Sequence, residues 1–181
     1  MRMLGGAERA LEYFLARLHD PRKKPFGRQL HEFGVMAERV AQSRIEIDAA
    51  RLQVLNAASI IDQKKEAKFA LTEIAEAKIL VPDLLLKVVD RAVQAYGGSG
   101  VTQETPLASM WAHGRIMRIV DGPDEVHMRS ISRDESKRGP WLLQKIEWQK
   151  KKALEMTDSY GLERRDPFQI DWQSGPKPAK L

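Results

Sequence analysis

The sequence contains no cysteine, no long apolar run and few histidines. Without cysteine, the chain cannot form disulfides, thiolate-ligated zinc sites or a cysteine nucleophile. No apolar run approaches the roughly 20 residues of a membrane-spanning helix. The histidines, at positions 19, 31, 113 and 127, lack the spacing of metal ligands. We therefore predict no metal site and no membrane span, although a hydrophobic content of 43% suffices for a globular core.

Positive charge is only slightly in excess. The chain has 30 lysines and arginines against 25 acids, a net charge of +5. Nucleic-acid-binding domains usually cluster Arg and Lys with exposed aromatic residues, and residues 1–140 show no such cluster. The sequence thus predicts no nucleic-acid partner, and the modest charge suits either an acidic ligand or ordinary solubility.

Hydrophobic periodicity predicts an all-α chain. Apolar residues at helical spacing predict long helices over residues 2–18, 30–63 and 66–96. Shorter helices are expected from Pro106 to about Ile119 and from Pro123 to about Lys137. Pro82 lies inside the third pattern, but the apolar register continues through it, so we predict one kinked helix. Helices joined by short turns indicate an antiparallel bundle.

The second long helix carries two neighbouring apolar stripes. One consists of Ile47, Ala50, Val54, Ala57 and Ile61, and the other of Ile45, Ala49, Leu52 and Leu55. A helix with two such stripes is expected to be buried on more than one side, as in the middle of a bundle. The long helices together present more apolar surface than one small bundle covers, which predicts a homo-oligomer.

The last quarter of the chain differs in composition. Gly139-Pro140 is expected to separate it, which gives domains over residues 1–138 and 139–181. Residues 141–156 are helix-prone and rich in lysine. From Asp166 onward Pro, Gly and Lys dominate, and this composition predicts disorder.

Three segments carry more specific patterns. The connector over residues 20–29, DPRKKPFGRQ, places Phe26-Gly27 among cations, and glycine lets backbone amides approach an anion. Gln94-Ala95-Tyr96-Gly97-Gly98 ends the third long helix at a glycine turn. Asp121-Gly122-Pro123 precedes Asp-Glu-Val-His at the start of the next helix.

These segments, together with Ser43-Arg44-Ile45-Glu46-Ile47 and Ala49-Ala50-Arg51-Leu52, resemble the C-terminal helical domain of flavin-dependent acyl-CoA dehydrogenases. The likeness covers residues 2–135 and is closest to the subgroup that contains family members ten and eleven. It implies FAD as cofactor and an acyl-CoA thioester as substrate, oxidised to the 2-enoyl form. It also implies assembly as a dimer or tetramer.

The resemblance assigns roles to particular residues. Asp121 matches the glutamate that takes the substrate's α-proton while the β-hydride leaves to flavin N5. The matches to cofactor-binding positions are Arg22, Lys23, Phe26, Gln94, Gly97, Gly98, Gly122 and Pro123. In the family, the connector and the Gln94–Gly98 segment reach the flavin of a neighbouring subunit. Arg115 and Arg118 are weaker candidates for an anionic substrate group, with surface salt bridges as the alternative.

The chain departs from the family pattern at two of these positions. With aspartate in place of glutamate, the substrate must lie about one methylene closer to the backbone. Asp121 could instead only cap the following helix. The family's connector arginine aligns with Lys23, and Arg22 stands one position earlier, so the cation that meets the diphosphate stays open.

The resemblance also implies an incomplete enzyme, because the family's N-terminal helical and middle β-domains match nothing in this sequence. We therefore expect a C-terminal portion, with an electron-transfer flavoprotein or oxygen as electron acceptor. Two alternatives stay open. Nitroalkane oxidases are related flavoenzymes that also use an aspartate base, and a non-catalytic helical oligomerisation module would need neither flavin nor substrate.

The C-terminal tripeptide Ala179-Lys180-Leu181 is a variant of the Ser-Lys-Leu peroxisomal address. Peroxisomes oxidise fatty acyl-CoA, so the C-terminal tripeptide and the resemblance to acyl-CoA dehydrogenases point to the same compartment. We predict a peroxisomal location, with the peroxisomal import receptor as a partner. The mitochondrion is the alternative, since a presequence could precede Met1.

Overall fold

The computed structural model describes residues 1–161, and these residues form six α-helices and no strand. The helices are α1 (Arg2–Leu18), α2 (Gly34–Lys64), α3 (Leu71–Tyr96), α4 (Leu107–Ile116), α5 (Asp124–Ser136) and α6 (Gly139–Ser159). Short 3-10 turns precede α2 and α3 and follow α3. The all-α prediction is confirmed.

Helix α3 is the centre of the bundle. It packs against α1, α2 and α4. Its buried positions recur at helical spacing and include Val81, Leu84, Leu85, Val88, Val89 and Ala92. The helix runs through Pro82 without interruption. Because Pro82 is itself buried, its packing offsets the backbone hydrogen bond that proline cannot make.

Helix α1 places a single apolar stripe in this core. The stripe consists of Leu4, Ala7, Leu11, Phe14 and Leu18, all nearly inaccessible to solvent. Burying each of the large side chains is worth about 1.5–3 kcal/mol. The opposite face of α1 is polar, as the sequence pattern predicts for a helix at the edge of a bundle.

Helix α2 is buried on one side only. Of its first stripe, Ile47 and Ala50 are fully buried and Ala57 nearly so. In the second stripe, Ile45 is 64% exposed, Leu52 68% and Leu55 48%. The prediction that α2 is buried on two sides is therefore wrong for the single chain. Within residues 1–161, α1 and α3 pack against α2, and the second stripe stays exposed.

Polar side chains of α2 tie the three long helices together. Arg91 on α3 donates from Nη1 to Glu46 Oε2 at 2.7 Å and to Ser43 Oγ at 3.1 Å. This hydrogen bond to Arg91 is the main cause that lowers the pKa of Glu46. Arg44 donates to both carboxylate oxygens of Glu8 on α1, at 2.7 and 2.9 Å. The motif residues of α2 thus have a structural role in joining helices.

Several helix boundaries differ from the predicted ones. Helix α2 begins at Gly34 because residues Leu30–Glu32 form a separate 3-10 turn. Helix α4 ends at Ile116 instead of continuing to Ile119. Gly139 and Pro140, which the sequence places at the start of the tail segment, are the first two residues of α6. Proline is tolerated there because the first turn of a helix has no partner for its backbone N–H groups.

The turn after α3 depends on glycine at two positions. Gly97 has φ of 64° and ψ of −140°, a conformation open essentially only to glycine, which ends the helix at little cost. Gly100 is needed for a different reason. A methyl group at Gly100 would lie 2.9 Å from both the Cα and the carbonyl oxygen of Val93. Backbone atoms cannot move aside as a flexible side chain would.

Replacing Gly100 with alanine is therefore expected to lower the free energy of unfolding by about 1–3 kcal/mol. Gly98→Ala is the matched control, since a methyl group there meets no atom within 4 Å. We expect that control to stay within about 0.5 kcal/mol of the wild type. Urea denaturation measures both, and equal stability of the two variants would contradict the close approach at Gly100.

The chain divides into two compact units, residues 1–134 and residues 135–181. The structure describes the second unit as far as residue 161, and α6 is its main element. The boundary expected after residue 138 stays a prediction. Both the disorder expected from Asp166 and the tripeptide Ala179-Lys180-Leu181 lie outside the described residues.

Within residues 1–161, no helix is long and apolar enough to cross a membrane.

Candidate active site

Asp121 lies in the loop between α4 and α5, here called the Asp121 loop (residues 117–123). Its φ is 56°, and that of Gly122 is 96°. Two successive residues in the left-handed region reverse the chain, and aspartate and glycine are among the residues that tolerate this conformation best. The reversal leaves the Asp121 side chain exposed at the surface of the bundle.

Helix α3 holds both ends of the Asp121 loop. Lys78 Nζ donates to the carbonyl oxygen of Met117 at 2.5 Å and to that of Gly122 at 3.4 Å. Arg118 Nε donates to Asp124 Oδ2 at 2.6 Å, and its Nη1 donates to Asp83 Oδ1 at 3.2 Å. The loop is thus fixed by two side chains of α3 as well as by its own turn.

The carboxylate of Asp124 is the most buried charge at this site. Its side chain is only 7% exposed and lies in the first turn of α5, where the helix dipole favours a negative charge. The hydrogen bond to Asp124 raises the pKa of Arg118. This pairing makes Arg118 a structural residue, the salt-bridge alternative considered above. Arg115, one turn earlier, is exposed, and a substrate role for either arginine stays a prediction.

Asp121 does not behave as a helix cap. Helix α5 begins at Asp124, and the acids of its first turn are Asp124 and Glu125. The backbone carbonyl of Asp121 lies 3.3 Å from His127 Nε2. The side-chain carboxylate of Asp121, by contrast, accepts no hydrogen bond within residues 1–161. The negative group is held in place by the backbone and is open to a ligand.

An apolar groove of about 470 Å³ lies beside the anchor of this loop. Its lining includes Val54, Ile74, Ala77, Val81, Pro82 and Met117. Lys78, which donates to Gly122, lies on the same wall. We call this feature the apolar groove. Its chemistry suits a hydrocarbon chain, and its position brings such a chain close to the Asp121 loop.

A second groove, of about 830 Å³, lies at the other end of α3. It is lined by Arg17, by residues 19–23 and by Tyr96, Ser99, Glu104 and Thr105. We call it the connector groove. It brings the predicted cations Arg22 and Lys23 together with the end of the Gln94–Gly98 segment. Two of the three motifs found in the sequence therefore meet at one surface.

The two arginines of the connector groove are already engaged. Arg17 donates to the carbonyl oxygens of Ala95 and Tyr96, at 3.1 and 3.3 Å, and so caps the C-terminal end of α3. Its guanidinium also lies 5.0 Å from the centroid of the Tyr96 ring. Arg22 donates to both oxygens of Asp20, at 2.9 and 3.0 Å. These bonds hold the pKa of Asp20 at about 2.

The remaining predicted cofactor residues are accessible. Phe26 has φ of 56°. Its side chain is 95% exposed, so within residues 1–161 its ring is almost unpacked. Gln94, Gly98 and Pro123 are exposed as well, and Gly122 is half-buried. A methyl group at Gly97 or Gly98 would meet no atom within 4 Å. The backbone of this turn is thus open to close approach by a ligand.

The Asp121 loop and the connector groove lie at opposite ends of α3. Lys78 anchors the loop and Tyr96 lines the groove, 18 residues further along the helix. At about 1.5 Å per residue, this separation is about 27 Å along the axis. The predicted site residues of one chain therefore fall into two groups rather than one.

Sequence reasoning missed several residues that shape these two regions. Lys78, Asp83 and Arg17 belong to no motif, because each acts through long-range hydrogen bonds that helical periodicity does not encode. A lysine on an otherwise apolar stretch of α3 was the only available signal for Lys78. In the described part of the chain, no three His, Asp or Glu side chains come together as metal ligands.

Known proteins are similar to the part of this chain that contains both candidate regions. A sequence profile described as acyl-CoA dehydrogenase, C-terminal domain, matches residues 1–135. "Probable acyl-CoA dehydrogenase FadE2" of Mycobacterium tuberculosis is 48% identical over 140 residues, which are 76% of this chain and 33% of that protein. Acyl-CoA dehydrogenase family member 11 of Gallus gallus is 44% identical over 142 residues, which are 76% of this chain and 18% of that protein.

Solved structures agree with the sequence comparison. Butyryl-CoA dehydrogenase from Megasphaera elsdenii superposes with a TM-score of 0.65 at 30% identity. The match covers 72% of this chain and 33% of that one. The chain thus spans one third or less of the length of the relatives named here, and helix α6 lies beyond the region that the sequence profile matches.

Proposed function

Because the chain belongs to the acyl-CoA dehydrogenase C-terminal domain family, we propose that it forms the C-terminal part of an FAD-dependent acyl-CoA dehydrogenase. The proposed reaction is α,β-dehydrogenation of an acyl-CoA thioester to the 2-enoyl form. The chain corresponds to 33% of the mycobacterial relative, so the remaining walls of an active site would come from regions outside it. Residues 1–138 would be the bundle domain, followed by a separate segment over 139–181.

The proposal rests on the exposure and the fixed position of the Asp121 carboxylate. This carboxylate is exposed, accepts no hydrogen bond within residues 1–161, and is held by a loop anchored to α3 through Lys78 and Asp83. A general base needs this combination of fixed position and open access. The apolar groove beside the loop anchor would receive the acyl chain next to the base.

The connector groove fits the diphosphate end of FAD. Its volume is within the range of cofactor sites, it carries cations, and the backbone at Gly97 and Gly98 is open. Arg22 or Lys23, with Gln94, Gly97 and Gly98, would hold the cofactor there, and Phe26 would pack against it. When bound, FAD supplies the acceptor for the substrate's β-hydride, and the chain's own contribution is to bind, orient and deprotonate.

The distance between the two regions supports assembly. Along α3, the base and the diphosphate groove are about 27 Å apart, so we propose that they serve two different cofactor molecules. In this arrangement each chain contributes its base to one active site and its connector to that of a neighbour. An isolated chain would then be incomplete at both sites, which accounts for the exposure of Phe26 and Gln94.

The exposed stripe of α2 is the proposed contact between copies. Burying Leu52 fully would contribute about 1.5–3 kcal/mol. We expect Leu52→Lys to weaken self-association at least about tenfold, as measured by analytical ultracentrifugation. Leu71→Lys is the matched control, because Leu71 is 58% exposed outside the stripe. A well-folded monomeric wild type at micromolar concentration would exclude the homo-oligomer.

Lys23 is the proposed phosphate-binding cation of the connector. Arg22 is already neutralised by both oxygens of Asp20. Lys23 has no such pair within residues 1–161. In the full-length flavoenzyme, Lys23→Gln should therefore raise the Kd for FAD about tenfold, through loss of one charge-assisted hydrogen bond. Replacing the paired residues together, as Asp20→Asn/Arg22→Gln, leaves the net charge of the groove unchanged and should change the Kd less than about threefold. The reverse order would assign the phosphate to Arg22.

A substrate panel tests the reaction class. The full-length enzyme should oxidise acyl-CoA thioesters and leave nitroalkanes unreacted, and measurement with an electron-transfer flavoprotein or oxygen identifies the acceptor. Turnover of nitroalkanes alone would select the oxidase alternative. Failure of the full-length protein to bind FAD would favour the non-catalytic module.

Peroxisomal localisation rests on Ala179-Lys180-Leu181 and on the family's chemistry, so it remains a proposal from sequence. A fluorescent reporter that ends in residues 170–181 should enter peroxisomes, and deletion of Leu181 should return it to the cytosol. A diffuse signal from both reporters would remove the case for the import receptor.

A further inference from the structure

Helix α6 has no buried residue along its 21 positions. A helix in water gains most of its stability by burying an apolar face. In α6, six large apolar side chains are instead between 46% and 60% exposed, and they are Trp141, Leu143, Ile146, Trp148, Leu154 and Met156. Among the residues that the structure describes, α6 therefore buries no apolar face.

The net positive charge of the protein is concentrated in the same segment. Residues 137–152 contain six of the chain's 30 lysines and arginines but one of its 25 acids, Glu147. The segment thus has a net charge of +5, and 24 cations and 24 acids remain elsewhere. The surface that α6 presents is complementary to an extended anionic surface.

Tryptophan and lysine alternate along one side of α6. Trp141, Lys145, Trp148 and Lys152 follow one another at intervals of four, three and four residues. At about 100° per residue, the four side chains fall within an arc of about 60°. Lys145 Nζ lies 5.1 Å from the centroid of the Trp141 ring, so the stripe is already formed in the helix.

The acids of α6 lie outside this stripe, although Glu155 lies beside its edge and accepts a hydrogen bond from Lys152 Nζ at 2.6 Å. The Trp–Lys stripe and the aliphatic residues share an arc of about 240° without a carboxylate. Those aliphatic residues are Leu142, Leu143, Ile146 and Leu154. All three acids, Glu147, Glu155 and Asp158, fall in the remaining arc of about 120°. Only one side of the helix could therefore meet an anionic surface without repulsion.

We propose that α6 lies on anionic phospholipid bilayers as an interfacial helix. Tryptophan favours the headgroup level, aliphatic side chains enter the acyl boundary, and lysines reach lipid phosphates from their long stems. A nucleic acid would use the lysines and tryptophans but would leave the four aliphatic residues in water. The proposal uses only residues 137–158, so it stands apart from the proposed dehydrogenase activity.

Vesicle flotation of the 181-residue chain tests the proposal. It should float with vesicles of phosphatidylcholine and phosphatidylglycerol in equal parts, and not with phosphatidylcholine alone. Tryptophan emission should shift to the blue on binding, and added salt should weaken association. Lys145→Glu/Lys152→Glu should weaken binding at least about tenfold, because each surface-bound lysine contributes roughly a fivefold factor.

The matched control is Lys64→Glu/Lys65→Glu, which makes the same change in charge at the end of α2 and should retain binding within about twofold. Circular dichroism checks that the helix content of the variants is unchanged. Three outcomes would overturn the proposal: no flotation of the wild type with anionic vesicles, equal loss in both double variants, or binding to polyuridylate in place of vesicles.

Discussion

Replacing Asp121 with asparagine should abolish reduction of the flavin by acyl-CoA in the full-length enzyme. Asparagine has the same shape as aspartate and tolerates the left-handed conformation of this position, where φ is 56°. The loop should therefore keep its structure while the base is lost. A positioned base contributes about 10²–10⁴-fold to proton transfer, so we expect a decrease of at least about a hundredfold in stopped-flow measurements.

The matched control is Glu125→Gln, which removes an exposed carboxylate four positions away in the first turn of α5. That variant should keep the wild-type rate within about twofold. An acyl-CoA analogue with sulfur at the β-position isolates the proton step, because it has no β-hydride to lose. Exchange of its α-proton with deuterated water should stop in Asp121→Asn. Exchange at the wild-type rate would exclude Asp121 as the base.

Replacing Arg118 with methionine should be among the most destabilising changes in the bundle. The substitution keeps much of the side chain's volume but leaves Asp124, only 7% exposed, without its partner. Breaking a buried ion pair costs about 3–5 kcal/mol. Because one third of the Arg118 side chain is exposed to solvent, we expect about 2–3 kcal/mol, measured by urea denaturation.

Arg115→Met is the control for this effect. Arg115 lies one turn earlier on the same segment and is exposed, so its replacement should change stability by less than about 0.5 kcal/mol. Adding Asp124→Asn to Arg118→Met should recover part of the loss, because it removes the unpaired charge. Equal stability of Arg115→Met and Arg118→Met would show that the pair contributes nothing.

The helices could be predicted from the sequence because each long helix carries its own apolar period. Leu4 to Leu18 in α1 and Val81 to Ala92 in α3 mark the buried faces without reference to the rest of the chain. The end of α3 could also be predicted, since Gly97 adopts a positive-φ conformation that other residues rarely reach and that terminates the helix. Local patterns of this kind need no knowledge of tertiary contacts.

The exposed stripe of α2 could not be predicted in the same way. Ile45, Leu52 and Leu55 have the same spacing as core residues, and periodicity does not distinguish a contact inside a chain from one between chains. The residues that anchor the Asp121 loop could not be predicted from the sequence for a related reason. Lys78 and Met117 are 39 residues apart, and their contact exists only after α3 and the loop have packed.

The neutralisation of Arg22 illustrates a further limit. Its partner Asp20 is only two residues away, yet the sequence left Arg22 and Lys23 equivalent as phosphate ligands. Which of two adjacent cations pairs with a nearby acid depends on the geometry of the turn at Pro21, and the sequence alone does not give that geometry.

The catalytic assignment of Asp121 rests on the family resemblance, and the structure adds the access and the fixed position of that side chain.

The dependence of the Asp121 loop on α3 has a consequence for protein engineering. Lys78 and Asp83, which hold the loop through Met117, Gly122 and Arg118, belong to another helix and would be absent from a loop transplanted alone. A glutamate-bearing loop from another dehydrogenase would have to be transferred with the matching positions of α3. The unit of recombination for the proposed base is therefore a helix and a loop that are distant in sequence, which restricts where chimaeric enzymes can be joined.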